Sequence, residues 1–392
     1  MNARTVFLTY VYPPDESAQA VQIGRLVEHS QLPDLHVVCE TAGPPRSAVH
    51  TVPWGAVARA RHRLRWGTFR SRLMVPDAFR PWARDAARAT RGLQPGVLVT
   101  FGQPMSDHLA GLALKRRTGV PWIAHLSDPW SDNPFRTDGR VARTLNRRLE
   151  RRVVEKADRL VFTSAPTVDL VMAKYPPALR SKVRVLPHAF SPTSASATAR
   201  RDGEPLVVRH LGAFYGPRSP APFLNALSAL ALRDPAALAD VRVELWGPAE
   251  TPVESLAEYA ALPVGLVTVH GNAPYSKSLD LMRSADLLVV IDAPARLSVF
   301  LPSKLIEYVG ARRPLLGLTP PGAAADVVVR AGGWVAAPDR PVEAVDALAA
   351  ALDAARRNER GEWGAPEVVA EHSPQAVVAA MDALVAETAA AA

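Results

Sequence analysis

The sequence predicts an α/β protein made of two Rossmann-like domains, each a parallel β-sheet covered by helices. The chain has 392 residues, which is too long for one ordinary domain and suits two, each with its own core. Hydrophobic residues make up 48% and charged residues 21%, as in globular proteins and unlike disordered ones. Short apolar runs alternate with helical segments along the whole chain, and this alternation favours parallel sheets.

Short apolar runs predict the strands, and longer segments with helical spacing predict the helices between them. Ligands of open α/β sheets bind outside the carboxyl ends of the strands, so we expect both sheets to face a central cleft with these ends. The predicted strands are residues 6–10, 35–39, 97–100, 122–125, 160–163, 183–186, 206–211, 241–246, 266–270, 287–291, 314–318 and 333–336. The predicted helices are residues 19–28, 107–116, 141–156, 222–232, 275–283, 303–310, 341–357 and 374–391.

A change in composition and charge marks the expected domain boundary. Residues 191–204 are rich in Ser, Pro, Thr, Ala and Arg and lack hydrophobic periodicity. Residues 1–200 hold 30 Lys and Arg against 15 Asp and Glu, whereas residues 201–392 hold 16 against 23. We therefore place one domain at 1–195, with a surface for an anionic partner, and the other at 196–392. The last helix could pack back on either domain, the first included.

Cysteine usage and hydropathy indicate the compartment. The chain has one cysteine, Cys39, which excludes an intramolecular disulfide and favours a reducing environment. The N-terminal stretch lacks the pattern of a secretory signal, and no run approaches the roughly 18 apolar residues of a membrane span. We therefore expect a cytoplasmic protein.

The most informative pattern is residues 300–316, Phe-Leu-Pro-Ser-Lys-Leu-Ile-Glu-Tyr-Val-Gly-Ala-Arg-Arg-Pro-Leu-Leu. Pro302 suits the first turn of a helix. Ser303 and Lys304 then place a hydroxyl, free backbone N–H groups and a cation at the helix N-terminus, which favours a bound anion. Glu307 follows about one turn after Lys304 and faces the same side. A carboxylate there can accept both hydroxyls of a ribose while the helix start holds a diphosphate.

This segment resembles the donor-site signature of family 4 GT-B glycosyltransferases, in the variant P-S-K-L-x-E-Y. The resemblance implies the GT-B fold, with a first domain that binds the acceptor and a second that binds a nucleotide-sugar donor. It also implies that Glu307 binds the nucleotide ribose and that Ser303, Lys304 and Leu305 belong to the donor site. Many members carry an earlier glutamate that contacts the transferred sugar. Val299 stands in its place here, so the resemblance does not identify the sugar.

The turn after the first strand of the second half is similar to a second family pattern, G-R-x-x-x-x-K, whose two cations neutralise the diphosphate. Gly212 and Arg218 match its first and last positions, and Ala213 replaces the arginine. Arg218 would then take the lysine's role in catalysis and donor binding, with Lys304 as a source of the second charge. Arg218 could instead simply cap a turn.

Two later strand ends complete the resemblance in the second half. Gly247 in Trp-Gly-Pro and Asn272 in Gly-Asn-Ala-Pro lie where the family holds its nucleobase through backbone groups. The glycines of these turns also have an ordinary explanation, since glycine permits backbone conformations that other residues avoid.

Acceptor-side candidates follow the strands of the first half. The predicted strand at 122–125 breaks at Asp128 into a loop where relatives of the family also carry an aspartate. Asp128 or His125 could hydrogen-bond the sugar or orient the acceptor hydroxyl in catalysis. Asp128 could equally cap the following turn, and His125 could be a packed strand residue. Ser17 and Ala18, in the loop after the first strand, and His108 are candidates for acceptor binding.

Arginines concentrate in two stretches of the first half, the first interleaved with Trp54, Trp66, Phe69, Phe79 and Trp82. Arginine with interfacial aromatics suits an anionic membrane surface or a lipid-diphosphate acceptor, so peripheral contact with the inner face of the plasma membrane is one expectation. A solvated face is the other. We predict no nucleic-acid binding, because RNP, helix-turn-helix and zinc motifs are missing. The arginines are Arg59, Arg61, Arg63, Arg65, Arg70, Arg72, Arg80, Arg84, Arg88 and Arg91, then Arg140, Arg143, Arg147, Arg148, Arg151 and Arg152.

The sequence contains no D-x-D carboxylate pair and no His/Cys cluster with metal-ligand spacing. We therefore expect a reaction without metal or cofactor, in which Arg218, Lys304 and the helix start at Ser303 stabilise the departing diphosphate. The resemblance implies a retaining transfer to a polysaccharide, lipid-linked or small-molecule acceptor. Two alternatives stay open: a nucleotide-sugar epimerase of GT-B architecture, and a non-catalytic nucleotide-binding homologue that has lost the residues replaced by Val299 and Ala213.

Overall fold

In the computed structural model of the chain, two parallel sheets form the centres of two units. One unit comprises Met1–Pro187 and Gln375–Ala392, and the other comprises His188–Pro374. The structure describes residues 4–42, 48–54, 75–134, 136, 138–192, 203–358 and 361–391. The basic residues Arg59, Arg61, Arg63, Arg65, Arg70 and Arg72, with Trp66 and Phe69, lie outside these described residues.

The first domain contains a seven-stranded sheet of order β3-β2-β1-β4-β5-β6-β7, in which every paired strand is parallel. All six strands predicted for the first half are confirmed. The edge strand β3 was not predicted, because its sequence Val-His-Thr lacks the apolar run that marks the equally short strands β7 and β13. The strands are β1 Thr5–Leu8, β2 Leu35–Cys39, β3 Val49–Thr51, β4 Val97–Gly102, β5 Trp122–Leu126, β6 Arg159–Phe162 and β7 Val183–Val185.

Six helices cover this sheet within the described residues. The predicted helices near 19–28, 107–116 and 141–156 are confirmed, whereas α2 and α5 were not predicted. The helix α2 has proline at its second position and carries four arginines, a composition that the sequence analysis interprets only as a charged stretch. The helices are α1 Ala18–His29, α2 Arg80–Gly92, α3 Ser106–Thr118, α4 Arg140–Lys156, α5 Ala165–Met172 and, from the C-terminal end, α13 Pro374–Ala390.

The C-terminal helix α13 packs in the first domain. Asp382 on this helix accepts hydrogen bonds from the Ser30 hydroxyl at 2.8 Å and from the backbone N–H of Gln31 at 2.7 Å. Glu387, five residues further along the helix, forms ion pairs with Arg159 at 2.8 Å and Arg184 at 3.1 Å. Buried apolar residues such as Met381 add hydrophobic contact. These contacts join the chain's last turns to the strands β6 and β7 and to the end of α1.

The second domain contains a six-stranded parallel sheet of order β10-β9-β8-β11-β12-β13, and its six predicted strands are confirmed. The strands are β8 Leu206–Leu211, β9 Val241–Trp246, β10 Val267–His270, β11 Leu287–Ile291, β12 Leu315–Leu318 and β13 Trp334–Ala336. The helices are α6 Ala221–Arg233, α7 Ala257–Ala260, α8 Tyr275–Arg283, α9 Ser303–Ala311, α10 Ala323–Arg330, α11 Pro341–Asn358 and α12 Pro366–Glu371.

The core of the second domain lies on both faces of its sheet. Side chains alternate between faces along a strand, so Val289 and Leu288 of β11 enter different clusters. One cluster includes Phe223 and Leu348 from α6 and α11, and the other includes Tyr308 from α9. Burial on both faces explains why the strands read as continuous apolar runs. Within the described residues, no helix is both long enough and apolar enough to cross a membrane.

Candidate functional site

The carboxyl ends of β8 and β9 bring two glycine turns into contact. The backbone N–H of Gly212 donates to the Trp246 carbonyl at 2.8 Å. Gly247 has φ +132°, and a Cβ atom at this position would lie 2.4 Å from the Gly212 carbonyl oxygen. Only a residue without a side chain allows this approach. The two glycines therefore build the backbone floor of the predicted donor site.

Lys304 extends from the first turn of α9 over this floor. A Cβ atom at Gly212 would lie 2.4 Å from Lys304 Nζ, so the ammonium group sits directly against the glycine. Nζ lies 3.5 Å from Nε2 of His210, and the other ring nitrogen of His210 lies 2.9 Å from the Val289 carbonyl. A carbonyl can only accept, so Nδ1 carries the proton and Nε2 faces the lysine as an acceptor.

The charges of these two groups follow from their surroundings. Burial, with the nearby Arg218, lowers the pKa of Lys304 to about 7, while Asp292 opposes the shift. Burial and the adjacent Lys304 lower the pKa of His210 well below its usual value, so its ring is neutral. An anion bound against Lys304 would favour its charged form. Lys304 is therefore suited to hold a diphosphate.

Arg218 is held in place by Asp292, a residue that the sequence interpretation did not select. The Arg218 guanidinium donates to Asp292 Oδ1 at 2.8 Å and to the Tyr215 hydroxyl at 3.2 Å. Asp292 is 3% exposed, and its carboxylate also accepts from the Ser298 hydroxyl at 3.0 Å. The guanidinium thus lies close enough to Lys304 to affect its pKa, which puts two cations in one site.

The helix α9 presents its N-terminus at the same place. It begins at Ser303, and the N–H groups of a first helical turn have no partners within the helix. The side chain of Leu305, which was predicted at the donor site, is fully buried in the core. The backbone N–H of Leu305 donates to the Pro302 carbonyl at 3.0 Å. Two hydrogen bonds between the Tyr308 hydroxyl and the backbone N–H and carbonyl of Leu211 fasten the helix to β8.

Glu307 is nearly buried and has hydrogen bonds to both carboxylate oxygens. Its Oε1 accepts from the Tyr275 hydroxyl at 2.9 Å, and its Oε2 accepts from the backbone N–H of Ser191 at 2.9 Å. The side chain is 7% exposed. A carboxylate accepts at about four lone-pair sites, and these two hydrogen bonds occupy two of them. These contacts fix its orientation.

The predicted nucleobase positions lie beside a group of stacked rings. Trp246 and His270, at the ends of β9 and β10, stack with their centroids 4.0 Å apart and an interplanar angle of 11°. The ammonium of Lys277 lies 4.8 Å from the centroid of the Trp246 ring. Asn272 is exposed in the loop after β10, and Val299, which replaces the family's sugar-binding glutamate, is buried.

In the first domain, hydrogen bonds connect the loops that follow β1, β4 and β5. Gln103, after β4, donates from its backbone N–H to the Gln19 side chain at 2.6 Å and from its own amide to Asp128 Oδ2 at 3.1 Å. Burial raises the pKa of Asp128 to about 6, although the Gln103 hydrogen bond opposes this shift. Asp128 therefore titrates close to neutral pH, which suits a group that orients or deprotonates a hydroxyl. Gln19 and Gln103 were not predicted.

The two histidines of this region are buried and neutral. Burial lowers the pKa of His125 to about 4 and the pKa of His108 to about 3. His125 lies on β5 with its ring 5.2 Å from Phe101, and His108 makes a 2.8 Å hydrogen bond to the Thr100 hydroxyl. These contacts favour the packing role that the sequence had left open for His125, and they give His108 a similar one.

Ser17 and Ala18 lie at the start of α1. The Ser17 hydroxyl accepts from the backbone N–H of Ala20 at 3.4 Å, which is the contact of an N-cap. The preceding loop is fixed by Asp107, whose Oδ2 accepts from the backbone N–H of Tyr10 at 2.7 Å. Burial raises the pKa of Asp107 well above its usual value. Ser17 thus has a structural role in the helix, next to Gln19, which contacts the Gln103–Asp128 pair.

The loop after Asp128 rests on a buried carboxylate. Glu150 of α4 is fully buried and accepts from the backbone N–H of Ser131 at 2.6 Å and from the Tyr175 hydroxyl at 2.6 Å. Lys174 forms an ion pair with the same carboxylate at 2.6 Å and a second one with Asp132. The charge is therefore paired and hydrogen-bonded, as burial requires. This network holds the loop that carries Asp128.

Residues 18–189 match the family described as glycosyl transferase 4-like domain. No protein of curated function matches the chain in sequence. Among solved structures, the apo form of the lipopolysaccharide outer core galactosyltransferase WaaB is 10% identical, with 98% of this chain and 99% of that chain covered and a TM-score of 0.65. Anabaena HepE in complex with UDP and glucose is 14% identical, with 100% of both chains covered and a TM-score of 0.63.

A third solved structure, trehalose-6-phosphate synthase OtsA, is 12% identical, with 98% of this chain and 99% of that chain covered and a TM-score of 0.69. At these identities the likeness shows the fold. Two parallel-sheet α/β domains, similar over their full length to glycosyltransferases of known structure, confirm the GT-B fold predicted from the sequence.

Proposed function

We propose that this chain, whose residues 18–189 match the glycosyl transferase 4-like family, is a GT-B glycosyltransferase that uses a nucleoside diphosphate sugar as donor and a hydroxyl group as acceptor. The observation that carries the proposal is the meeting of Lys304, the Gly212 backbone and the start of α9, with Glu307 one turn further along the helix. The first three groups are suited to bind a diphosphate, and the carboxylate is suited to bind a ribose.

UDP-sugars should be the first donors tested. The solved structures similar to this chain include HepE with UDP-glucose and an E. coli trehalose-6-phosphate protein bound with UDP-2-fluoro glucose. Those ligands belong to those proteins. Because Val299 replaces the family's sugar-binding glutamate, the donors tested should carry a range of different sugars. UDP is the part that these ligands share, and it is the part that the predicted site would bind.

We propose that the departing diphosphate is stabilised by protein groups, without a metal ion. Lys304 and Arg218 supply positive charge, and the N-terminus of α9 supplies N–H groups and its helix dipole. In the retaining reaction, the bond between the sugar's anomeric carbon and the diphosphate oxygen breaks. The acceptor oxygen bonds to the same face of that carbon through an oxocarbenium-like state. The acceptor proton passes to the departing diphosphate oxygen.

Asp128 is proposed to orient the acceptor hydroxyl as a hydrogen-bond acceptor. The Gln103 side-chain amide donates to one carboxylate oxygen of Asp128 at 3.1 Å. The other lone pairs of this carboxylate remain for the acceptor hydroxyl. Its pKa of about 6 makes it largely ionised at pH 7. Gln103 is therefore a positioning residue for Asp128. Polysaccharide, glycolipid and small-molecule acceptors are all compatible with this arrangement.

The experiment is transfer from a radiolabelled UDP-sugar panel to a mixture of glycan and glycolipid acceptors, with and without EDTA. Labelled product with the donor's anomeric configuration, formed equally in EDTA, supports the proposal. An inverted product contradicts retention, and loss of transfer in EDTA contradicts metal independence. Conversion of the donor to an isomer without acceptor would favour an epimerase, and UDP binding without transfer would favour a non-catalytic homologue.

A further inference from the structure

A groove bordered by arginines lies between helices α2, α3 and α4 of the first domain. It consists of two adjoining cavities of about 240 and 540 Å³, which share Arg84, Ala87, Ala113 and Arg116 among their lining residues. Aliphatic side chains including Leu109, Leu112 and Leu149 form the wall of the smaller cavity. The groove thus combines an apolar lining with a cationic border.

The arginines of the border are exposed and carry uncompensated charge. Within the described part of the chain, six of them form no ion pair or side-chain hydrogen bond, and no acidic residue lines either cavity. A seventh, Arg88, pairs with Asp85 of its own helix. Like charges this close repel one another, so a bound anion lowers their energy. The six are Arg80, Arg84, Arg91, Arg116, Arg117 and Arg152.

A stripe of aliphatic residues on α4 continues from this groove. Val141 is 75% exposed and Leu145 is 40% exposed, and both belong to the large hydrophobic residues that the fold leaves in solvent. They precede Leu149 at intervals of four residues, so the three lie on one face of the helix. Arginines such as Arg148 and Arg152 occur on the same helix. Exposed aliphatic residues beside arginines are typical of helices that lie in a membrane interface.

We propose that this face binds the surface of a lipid bilayer that contains anionic phospholipids. The arginines contact head-group phosphates, while Val141 and Leu145 enter the boundary between head groups and acyl chains. Charge complementarity selects an anionic partner, and the aliphatic stripe selects a bilayer over a dissolved phosphate or a nucleic acid, neither of which offers apolar surface to these side chains. This inference stands apart from the donor and acceptor sites, because none of its residues belongs to them.

The test is co-sedimentation of the full chain with vesicles of phosphatidylcholine alone or with about 30% phosphatidylglycerol, at low and high salt. The chain should sediment with the anionic vesicles only, and less so at high salt. Arg84→Gln with Arg116→Gln should weaken binding about 30-fold, since each arginine near the surface contributes about 1 kcal/mol. Val141→Gln with Leu145→Gln should weaken it by roughly fivefold or more.

Matched control pairs in the second domain keep the test specific. Arg340→Gln with Arg357→Gln removes the same charge, and Leu232→Gln with Val342→Gln removes exposed aliphatic residues. The controls should sediment like the unaltered chain, and all variants should keep its UDP affinity and melting temperature. Equal binding to neutral vesicles, equal loss in a control pair, displacement by millimolar inorganic phosphate, or retention of oligonucleotides in preference to vesicles would overturn the proposal.

Discussion

The Tyr275 hydroxyl donates a hydrogen bond to Oε1 of Glu307 at 2.9 Å. These residues begin α8 and occupy the middle of α9, so the bond joins two helices at the predicted donor site. The other oxygen of Glu307 accepts from the backbone of Ser191, in the segment where the second unit starts. The carboxylate is therefore oriented before any ligand arrives, which reduces the cost of ordering it upon binding.

Replacing this hydroxyl tests whether orientation of Glu307 matters for the donor. Tyr275→Phe should weaken UDP binding by roughly tenfold, because a hydrogen bond to a charged group contributes about 1.5 kcal/mol or more. Isothermal titration calorimetry measures the change. Tyr259→Phe is the control, since its hydroxyl also bonds in the second domain, to the Val267 carbonyl at 3.2 Å. Equal effects of both changes would show a general structural loss and not a role of Tyr275 at the site.

Lys304 should favour UDP binding and lower the stability of the folded chain. Its pKa falls from 10.5 to about 7 in the folded chain, so the unfolded chain binds more protons between those values. Stability from this group therefore rises with pH across that window and is lowest below pH 7. Lys304→Met should raise Tm by a few °C at pH 6–7 and less near pH 10. It should also abolish detectable UDP binding.

Differential scanning calorimetry across this pH range, paired with UDP titrations, measures both effects. Lys156→Met, an exposed lysine at the end of α4, is the control and should change neither property. A lower Tm for Lys304→Met at pH 6 would contradict the unfavourable burial of its charge. Unaltered UDP affinity would contradict its role at the diphosphate.

The close approach of two glycine turns predicts a strong effect of a single methyl group. Gly247→Ala places a Cβ atom 2.4 Å from the Gly212 carbonyl at a φ of +132°, so we expect a loss of at least about 2 kcal/mol in the free energy of unfolding. Gly271→Ala is the matched control, because a Cβ atom there meets no other atom within 4 Å. Urea unfolding of both variants is the measurement. Similar midpoints for the two would contradict the described contact.

The pH dependence of transfer should show two ionisations. Asp128 has a raised pKa of about 6, so its ionised form, and with it kcat/KM, increases as pH rises through 6. Lys304 loses its proton near pH 7, so kcat/KM should decrease above that value. Asp128→Asn should remove the acidic limb and Lys304→Arg the alkaline limb. An acidic limb that persists in Asp128→Asn would assign it to another group.

The raised pKa of Asp128 also predicts how this residue affects the stability of the folded chain. The folded chain holds the Asp128 proton more tightly than the unfolded chain between pH 3.8 and about 6, so stability falls as pH rises through this window. Asp128→Asn removes the ionisable group while keeping an amide that can bond to Gln103. Its Tm should exceed that of the unaltered chain at pH 7 and match it near pH 4. A lower Tm at pH 7 would contradict the burial of this carboxylate.

The parts of the site that the sequence predicted are those defined by neighbours along the chain. The start of α9 could be predicted because Pro302, Ser303 and Lys304 form a local signal of a helix N-terminus. Gly212 and Gly247 could be located because each follows a buried strand directly. Local patterns of this kind also predicted every strand except β3.

The residues that the sequence did not reveal act through contacts between distant segments. Gln19 and Gln103 meet across 84 positions, and Asp292 contacts the predicted residue Arg218 across 74. Such pairs depend on strand order, which places β1 beside β4 and β8 beside β11, and on side-chain rotamers. Neither is encoded in periodicity. The inclusion of Leu305 in the donor site followed the motif alone, whereas its side chain fills the core.

The most direct test of the account is a titration of UDP and UDP-glucose into the unaltered chain, Glu307→Ala and the control Glu343→Ala. Glu343 is an exposed glutamate in the first turn of α11 of the same domain. The unaltered chain and Glu343→Ala should bind UDP with equal affinity, and Glu307→Ala should bind it at least about tenfold more weakly, since it loses charged hydrogen bonds to the ribose. Equal affinity in all three proteins, or no binding of UDP or any other nucleoside diphosphate to the unaltered chain, would contradict the nucleotide-sugar site.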